Sequence, residues 1–112
     1  MKIAIPAVDG RLARHFGHCE EFMLFDVDPD TGGVGSARSL QAPPHEPGLL
    51  PRWLKDQGAD VIIAGGMGRR AQNLFAESGI EIVVGAVSDD PATIVEQYLS
   101  GALDTGDNLC DH

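Results

Sequence analysis

Positive charge is scarce in this chain. Eight Lys and Arg stand against 17 Asp and Glu, a formal net charge of −9 at pH 7. Such a surface repels polyphosphate, so non-specific nucleic-acid binding is excluded as a default. Cysteine is scarcer: Cys19 and Cys110 are the only two. In a cytosolic protein such a pair reads as thiols, not as a disulfide framework. No apolar run approaches the roughly 18 residues that a membrane helix needs. The opening Met1-Lys2-Ile3-Ala4-Ile5-Pro6 is too short for a signal-peptide core. The expected location is therefore the cytoplasm. No internal repeat or low-complexity tract interrupts the chain.

What is present is globular. The chain has 112 residues, 43% of them hydrophobic and 22% charged. That is one domain's worth, with no room for a second core. Residues 1–102 are expected to form the domain and 103–112 a polar, flexible tail. Glycine is frequent, at 14 residues, which predicts tight turns and close backbone approaches.

Ile3-Ala4-Ile5 reads as a first strand, stopped by Pro6 and the Asp9-Gly10 turn signal. Residues 9–20 read as a loop. Glu21 to Val27 is a second strand, and the Asp28–Gly33 stretch is a hairpin-type connection. Val34 to Leu40 alternates as a third, partly exposed strand. Leu49, Leu50, Trp53 and Leu54 have helical spacing, and Gly58 ends that helix. Val61-Ile62-Ile63-Ala64 is apolar throughout, as a strand buried on both faces should be. The Gly65-Gly66-Met67-Gly68 turn follows. Met67, Ala71, Leu74 and Phe75 are again helically spaced, and Ile80 to Val84 is a fifth strand. Asp90 caps a third helix with Pro91 at its first position. Ile94, Val95, Tyr98 and Leu99 form its apolar face, and Gly101 ends it. Trp53 and Met67 are expected in the core.

This β-β-β-α-β-α-β-α order predicts an α/β domain with a five-stranded mixed sheet and three helices. Right-handed crossovers make the last two strands parallel, and the simplest sheet order is 3-2-1-4-5. Strands 1, 3, 4 and 5 then point the same way. The loops at 9–20, 42–48, 65–70 and 85–90 share one edge, at the switch point where open α/β sheets bind ligands.

Those loops carry half of the chain's scarce cations: Arg11, Arg14, Arg69 and Arg70. His15, His18, Cys19 and His45 add groups able to ligate a metal. Gly65, Gly66 and Gly68 let backbone N–H groups face a ligand at a helix N-terminus, which favours anions. The combination predicts a small anionic ligand in a basic mouth on an acidic body. Arginines there work against the helix dipole, which favours a functional reading over a solvated one. Cys110-Asp111-His112 reads as tail. The stretch Gly66-Met67-Gly68-Arg69-Arg70-Ala71 matches a dinucleotide fingerprint, but the acidic ribose partner expected some twenty residues on is missing. A metal-dependent nuclease would need carboxylates on its central strands, and the first strand offers Ile3, Ala4 and Ile5. No nucleophile–base pair stands out for an enzyme acting on a small anion.

The opening Met1-Lys2-Ile3-Ala4-Ile5-Pro6, the His15-Phe16-Gly17 element, the run from Asp60 through Ala64-Gly65-Gly66-Met67-Gly68-Arg69-Arg70-Ala71 and the Cys110-Asp111-His112 end together resemble the dinitrogenase iron–molybdenum cofactor biosynthesis family. The likeness covers nearly the whole chain. It implies a ribonuclease-H-like, three-layer fold without the nuclease carboxylates. It also implies binding or carriage of a metal–sulfur cofactor or its precursor. Small stand-alone members include the orange protein of sulfate-reducing bacteria, which holds a molybdenum–copper sulfide cluster non-covalently. The expected function is thus non-enzymatic binding of an anionic metal–sulfide cluster of Mo–Cu or Fe–Mo type. Arg11, Arg14, Arg69 and Arg70 would neutralise it, Gly65, Gly66 and Gly68 would donate N–H groups, and His15, His18, Cys19 or His45 would ligate. The alternative is a regulatory or adaptor domain that binds a protein partner, such as a cofactor-assembly or cell-division ATPase.

Overall fold

Strand β1 (Lys2–Val8) runs through the middle of a six-stranded mixed sheet. The structure, a computed structural model, describes residues 1–13, 20–28, 30–31, 33–43, 49–86 and 89–101. After β1 come β2 (Arg11–Leu12), β3 (Glu21–Asp28), β4 (Gly33–Gln41), α1 (Leu49–Asp56), β5 (Val61–Ala64), α2 (Arg69–Glu77), β6 (Glu81–Val84) and α3 (Pro91–Ser100). The sheet order is β4-β3-β1-β5-β6, with β2 paired to β1 off that path. With β2 set aside, this is the order expected from the sequence. β3 is antiparallel to both β1 and β4, while β5 is parallel to β1 and β6 to β5. β1, β4, β5 and β6 therefore point the same way.

Alternation along the strands divides the core in two. Ala4, Phe22, Leu24, Ile62 and Ala64 pack with Leu50 and Leu54 of α1, Phe75 of α2 and the buried Met67. Ile3, Ile5, Phe25, Val27, Val61 and Ile63 pack on the opposite face with Ile94 and Val95 of α3. The result is three layers: α1 and α2, the sheet, and α3. Start and stop signals of α3 are as the sequence predicts. Asp90 Oδ2 accepts from the Thr93 N–H at 3.3 Å and from the Thr93 hydroxyl at 2.6 Å. Gly101 closes the helix in the left-handed region at φ 76°.

Three expectations need correction. Pro6 does not stop the first strand, which continues to Val8. The pairs between β1 and β5 are at Ile3 and Ala4, so Pro6 lies beyond them and its missing N–H costs no ladder bond there. Residues 9–20 are not all loop, because Arg11 and Leu12 pair back onto Val8 and Ala7. Asp9 and Gly10 turn the chain with φ of 54° and 77°, the positive values that a two-residue type I′ hairpin requires. Trp53 is half-buried against the core, its ring 5.7 Å from Phe22, whereas Met67 is fully buried as expected. The expected tail at 103–112, with Cys110 and His112, lies outside the described residues.

Two predictions follow from this packing. Phe75 is fully buried, so Phe75→Ala should lower stability by about 3–5 kcal/mol, read as a lower urea midpoint. Tyr98, the single tyrosine, donates its hydroxyl to Glu81 Oε2 at 2.7 Å, tying α3 to β6. Partial burial first, then this bond and the carboxylate's charge, push the phenol from 10.0 up to about 12. The stabilisation is complete below pH 10 and is lost as pH rises through about 12. Tyrosinate absorbance should rise near pH 12 in the folded chain and near pH 10 in urea, and Glu81→Gln should lower the folded midpoint.

Candidate functional site

The carboxyl ends of β1, β4, β5 and β6 lie at one sheet edge, and hydrogen bonds stitch the segments that leave it. Leu12 N–H donates to the Asp89 carbonyl at 2.8 Å, joining β2 to the segment after β6. Gly85 N–H donates to the Gly65 carbonyl at 3.1 Å, and Ala86 N–H to Ala64 at 3.2 Å. The hairpin that carries Arg11 and the glycine turn that leads to Arg69 are thus bound to the same connection. Glu21 fixes the hairpin further: Oε1 accepts from the Gly10 N–H at 3.0 Å and Oε2 from the Ser39 hydroxyl at 2.8 Å.

The start of α2 has unusual electrostatics. Its N-cap is Gly68, which has no side chain to satisfy the first-turn N–H groups, and no acidic residue lies in that turn. The first intrahelical bond runs from Gln72 N–H to the Gly68 carbonyl at 3.1 Å. The N–H groups of Arg69, Arg70 and Ala71 therefore have no intrahelical acceptor. Arg69 and Arg70 are exposed there, adding full positive charge to the positive end of the helix dipole. That arrangement costs the helix, typically 0.3–1 kcal/mol per cation, roughly. It fits an anion resting on the turn. Gly68 has φ −66° and ψ 155°, which any residue adopts. A Cβ there would meet nothing within 4 Å. Neither strain nor crowding calls for glycine at this position, and the space above it is open. The Gln72 side-chain amide donates to the Met67 carbonyl at 2.8 Å and fastens the turn from below.

Of the residues singled out in the sequence, Arg11, Gly65, Gly66, Gly68, Arg69 and Arg70 are described, and the topology brings them to this edge. Arg11, Arg69 and Arg70 are exposed, Gly65 and Gly66 are buried and Gly68 is half-buried. Arg14, His15, His18, Cys19 and His45 lie outside the described residues. Among the described residues no group of three or more His, Cys, Asp or Glu could hold a metal ion. What these residues offer is charge and N–H donors, which suit an anionic group held without a covalent ligand.

Sequence reasoning missed two features of the edge. It is not uniformly basic, since Asp9, Glu20, Glu21, Asp89 and Asp90 stand there too. Acid is absent over one stretch: residues 61–76 contain no Asp or Glu. The positive character therefore belongs to the α2 side. Nor did Gln72 and Glu21 signal their anchoring roles, because each acts on backbone brought close by the fold and not by sequence spacing.

A family model described as dinitrogenase iron-molybdenum cofactor matches residues 1–101. The chain belongs to that family. The uncharacterized protein MJ0580 of Methanocaldococcus jannaschii is 30% identical over 87 residues, 73% of this chain and 72% of that one. The crystal structure of PH0822 superposes with a TM-score of 0.85 at 31% identity and covers 94% of each chain. The apo orange protein from Desulfovibrio gigas shares the fold, with a TM-score of 0.71 at 22% identity over 96% of this chain and 93% of that one. Membership makes this chain a small cofactor-related domain. Among its described residues no helix is long and apolar enough to cross a membrane.

The open position at Gly68 gives a direct test. Gly68→Ser places a hydroxyl where it can accept a first-turn N–H. The variant should be more stable by a few tenths of a kcal/mol, roughly, seen in urea unfolding, and should bind anions at this turn less well.

Proposed function

We propose that this chain binds or carries, without catalysing a reaction, an anionic metal–sulfur cluster of Mo–Cu or Fe–Mo sulfide type, or its precursor. The observation that carries the reading is the start of α2, where two arginines and first-turn N–H groups without an intrahelical acceptor or a side-chain cap meet in an acid-free stretch of an acidic family member. A soft polyanion presents many weak acceptors and no single point of attachment. Guanidinium groups suit it, because their donors are planar, diffuse and weakly hydrated. In this reading Arg69 and Arg70 neutralise the cluster, and the half-buried Gly68 lets it approach the first-turn N–H groups. The buried Gly65 and Gly66 shape the backbone beneath. Arg11 and Arg14 would add charge from the hairpin side, and His15, His18, Cys19 or His45 would supply direct ligands.

The test is reconstitution of the full chain with tetrathiomolybdate and copper(I) without oxygen. The reading expects a visible charge-transfer band and stoichiometric metal after desalting. It also expects binding weakened by about tenfold or more in the Arg69→Ala/Arg70→Ala double variant, since two charge-assisted contacts are lost. Raising the salt should weaken binding further. Complete loss of metal from the wild-type chain on desalting, or a double variant that binds as well as wild type, would overturn it.

A further inference from the structure

Strand β4 ends the sheet on one side, and its free backbone groups can be identified. Met1 and Val27 exchange both hydrogen bonds: the Met1 amine donates to Val27 O at 3.0 Å and Val27 N–H to Met1 O at 2.8 Å. Antiparallel pairs alternate, so Phe25 and Met23 aim their amides at β1, while Leu24 and Phe22 aim theirs at β4. Their partners there are Arg38 and Leu40. Ala42 N–H donating to Glu20 O at 3.0 Å continues the same phase. Arg38 and Leu40 are therefore spent on β3. Ala37, Ser39 and Gln41 point their N–H and C=O groups away from the sheet.

This edge lacks the usual defences. β4 has nine residues, with no Pro, no Lys and a single charge, Arg38. Its register irregularity falls between the pairs at Phe25 and Val27, so Ala37 to Gln41 stays straight. Every residue from Gly33 to Ser39 is exposed. Long, unblocked edges template pairing with another strand. The opposite edge, β6, is four residues long and begins with Glu81.

We propose that the occupant is a second copy of this chain, paired antiparallel through β4 into one continuous sheet. Charge favours that choice. Residues 31–45 contain no Asp or Glu in a chain of net charge −9, so the paired strands themselves add no carboxylate; the nearest is Glu21 of β3, which in each copy is held by its own Ser39 hydroxyl. A two-fold axis at Ser39 sets Ser39 against Ser39, Ala37 against Gln41 and Arg38 against Leu40. All three outward-facing positions are then hydrogen-bonded and no like charges face each other. A strand pair alone falls short of the roughly 1,000 Å² of a stable interface, so the dimer is concentration-dependent. Screening the two acidic bodies with salt strengthens it. The antiparallel arrangement puts the two carboxyl edges at opposite ends, so the proposal is independent of the cluster reading.

Sedimentation equilibrium and amide exchange on the full chain, up to about 1 mM, test this. Association should rise with concentration and salt. Protection at Ala37, Ser39 and Gln41 should rise with it, while Arg38 and Leu40 stay protected throughout. Gln41→Pro removes an N–H that β3 does not use and should weaken association by about tenfold or more. Ala37→Lys, a charge on the free edge, should do the same without any backbone change. A chain that stays monomeric at the highest concentration, association unaltered in both variants, or protection that appears elsewhere overturns the proposal. So does an edge that pairs only with an extended segment of another protein.

Discussion

The molecule depends on β1 having two unlike neighbours. On one side it pairs antiparallel with β3, and on the other parallel with β5. A parallel neighbour cannot be reached by a tight turn, so the chain must travel through β3, β4 and α1 before β5 is laid down. Those crossovers cover one face of the sheet with α1 and α2, while α3 covers the other. They also explain why Ile3, Ala4 and Ile5 are wholly buried. Because four strands then share a direction, the segments leaving their carboxyl ends collect at one edge.

The fold treats two of its helix N-termini in opposite ways. At α3, Asp90 and Pro91 do what isolated helix chemistry asks: a carboxylate accepts the Thr93 N–H of the first turn and proline occupies a site that needs no donor. At α2, glycine gives the first-turn donors no side-chain cap and two arginines add charge of the wrong sign. The contrast within one short chain, not the glycines or the arginines alone, is what supports the proposal of an anion at the α2 turn.

Much of the architecture was legible because the signals are local. Val61–Ala64 could be read as a doubly buried strand from its apolar run, and α3 from its cap and closing glycine. The misreadings are places where a residue's neighbours, not its own type, decide the outcome. Pro6 sits in a central strand because its ring nitrogen lies past the pairing with β5. Arg11 and Leu12 form a strand because the Asp9-Gly10 turn folds them onto β1. The bond that joins two of the loops was not legible either: Asp89 is far from Leu12 in sequence, yet its carbonyl accepts the Leu12 N–H.

By itself the sequence determined the element types, the sheet order, the scarcity of positive charge and the places where that charge stands. Patterning, capping and turn chemistry act over a few residues, and each stretch carries its own instructions. Only the tertiary structure decided which amides are spent and which remain free. Among the described residues, that holds for Ala37, Ser39 and Gln41, which face away from β3, and for the first turn of α2, which has no side-chain cap. A backbone donor is the same chemical group at every position, so its availability depends solely on what the rest of the chain places beside it.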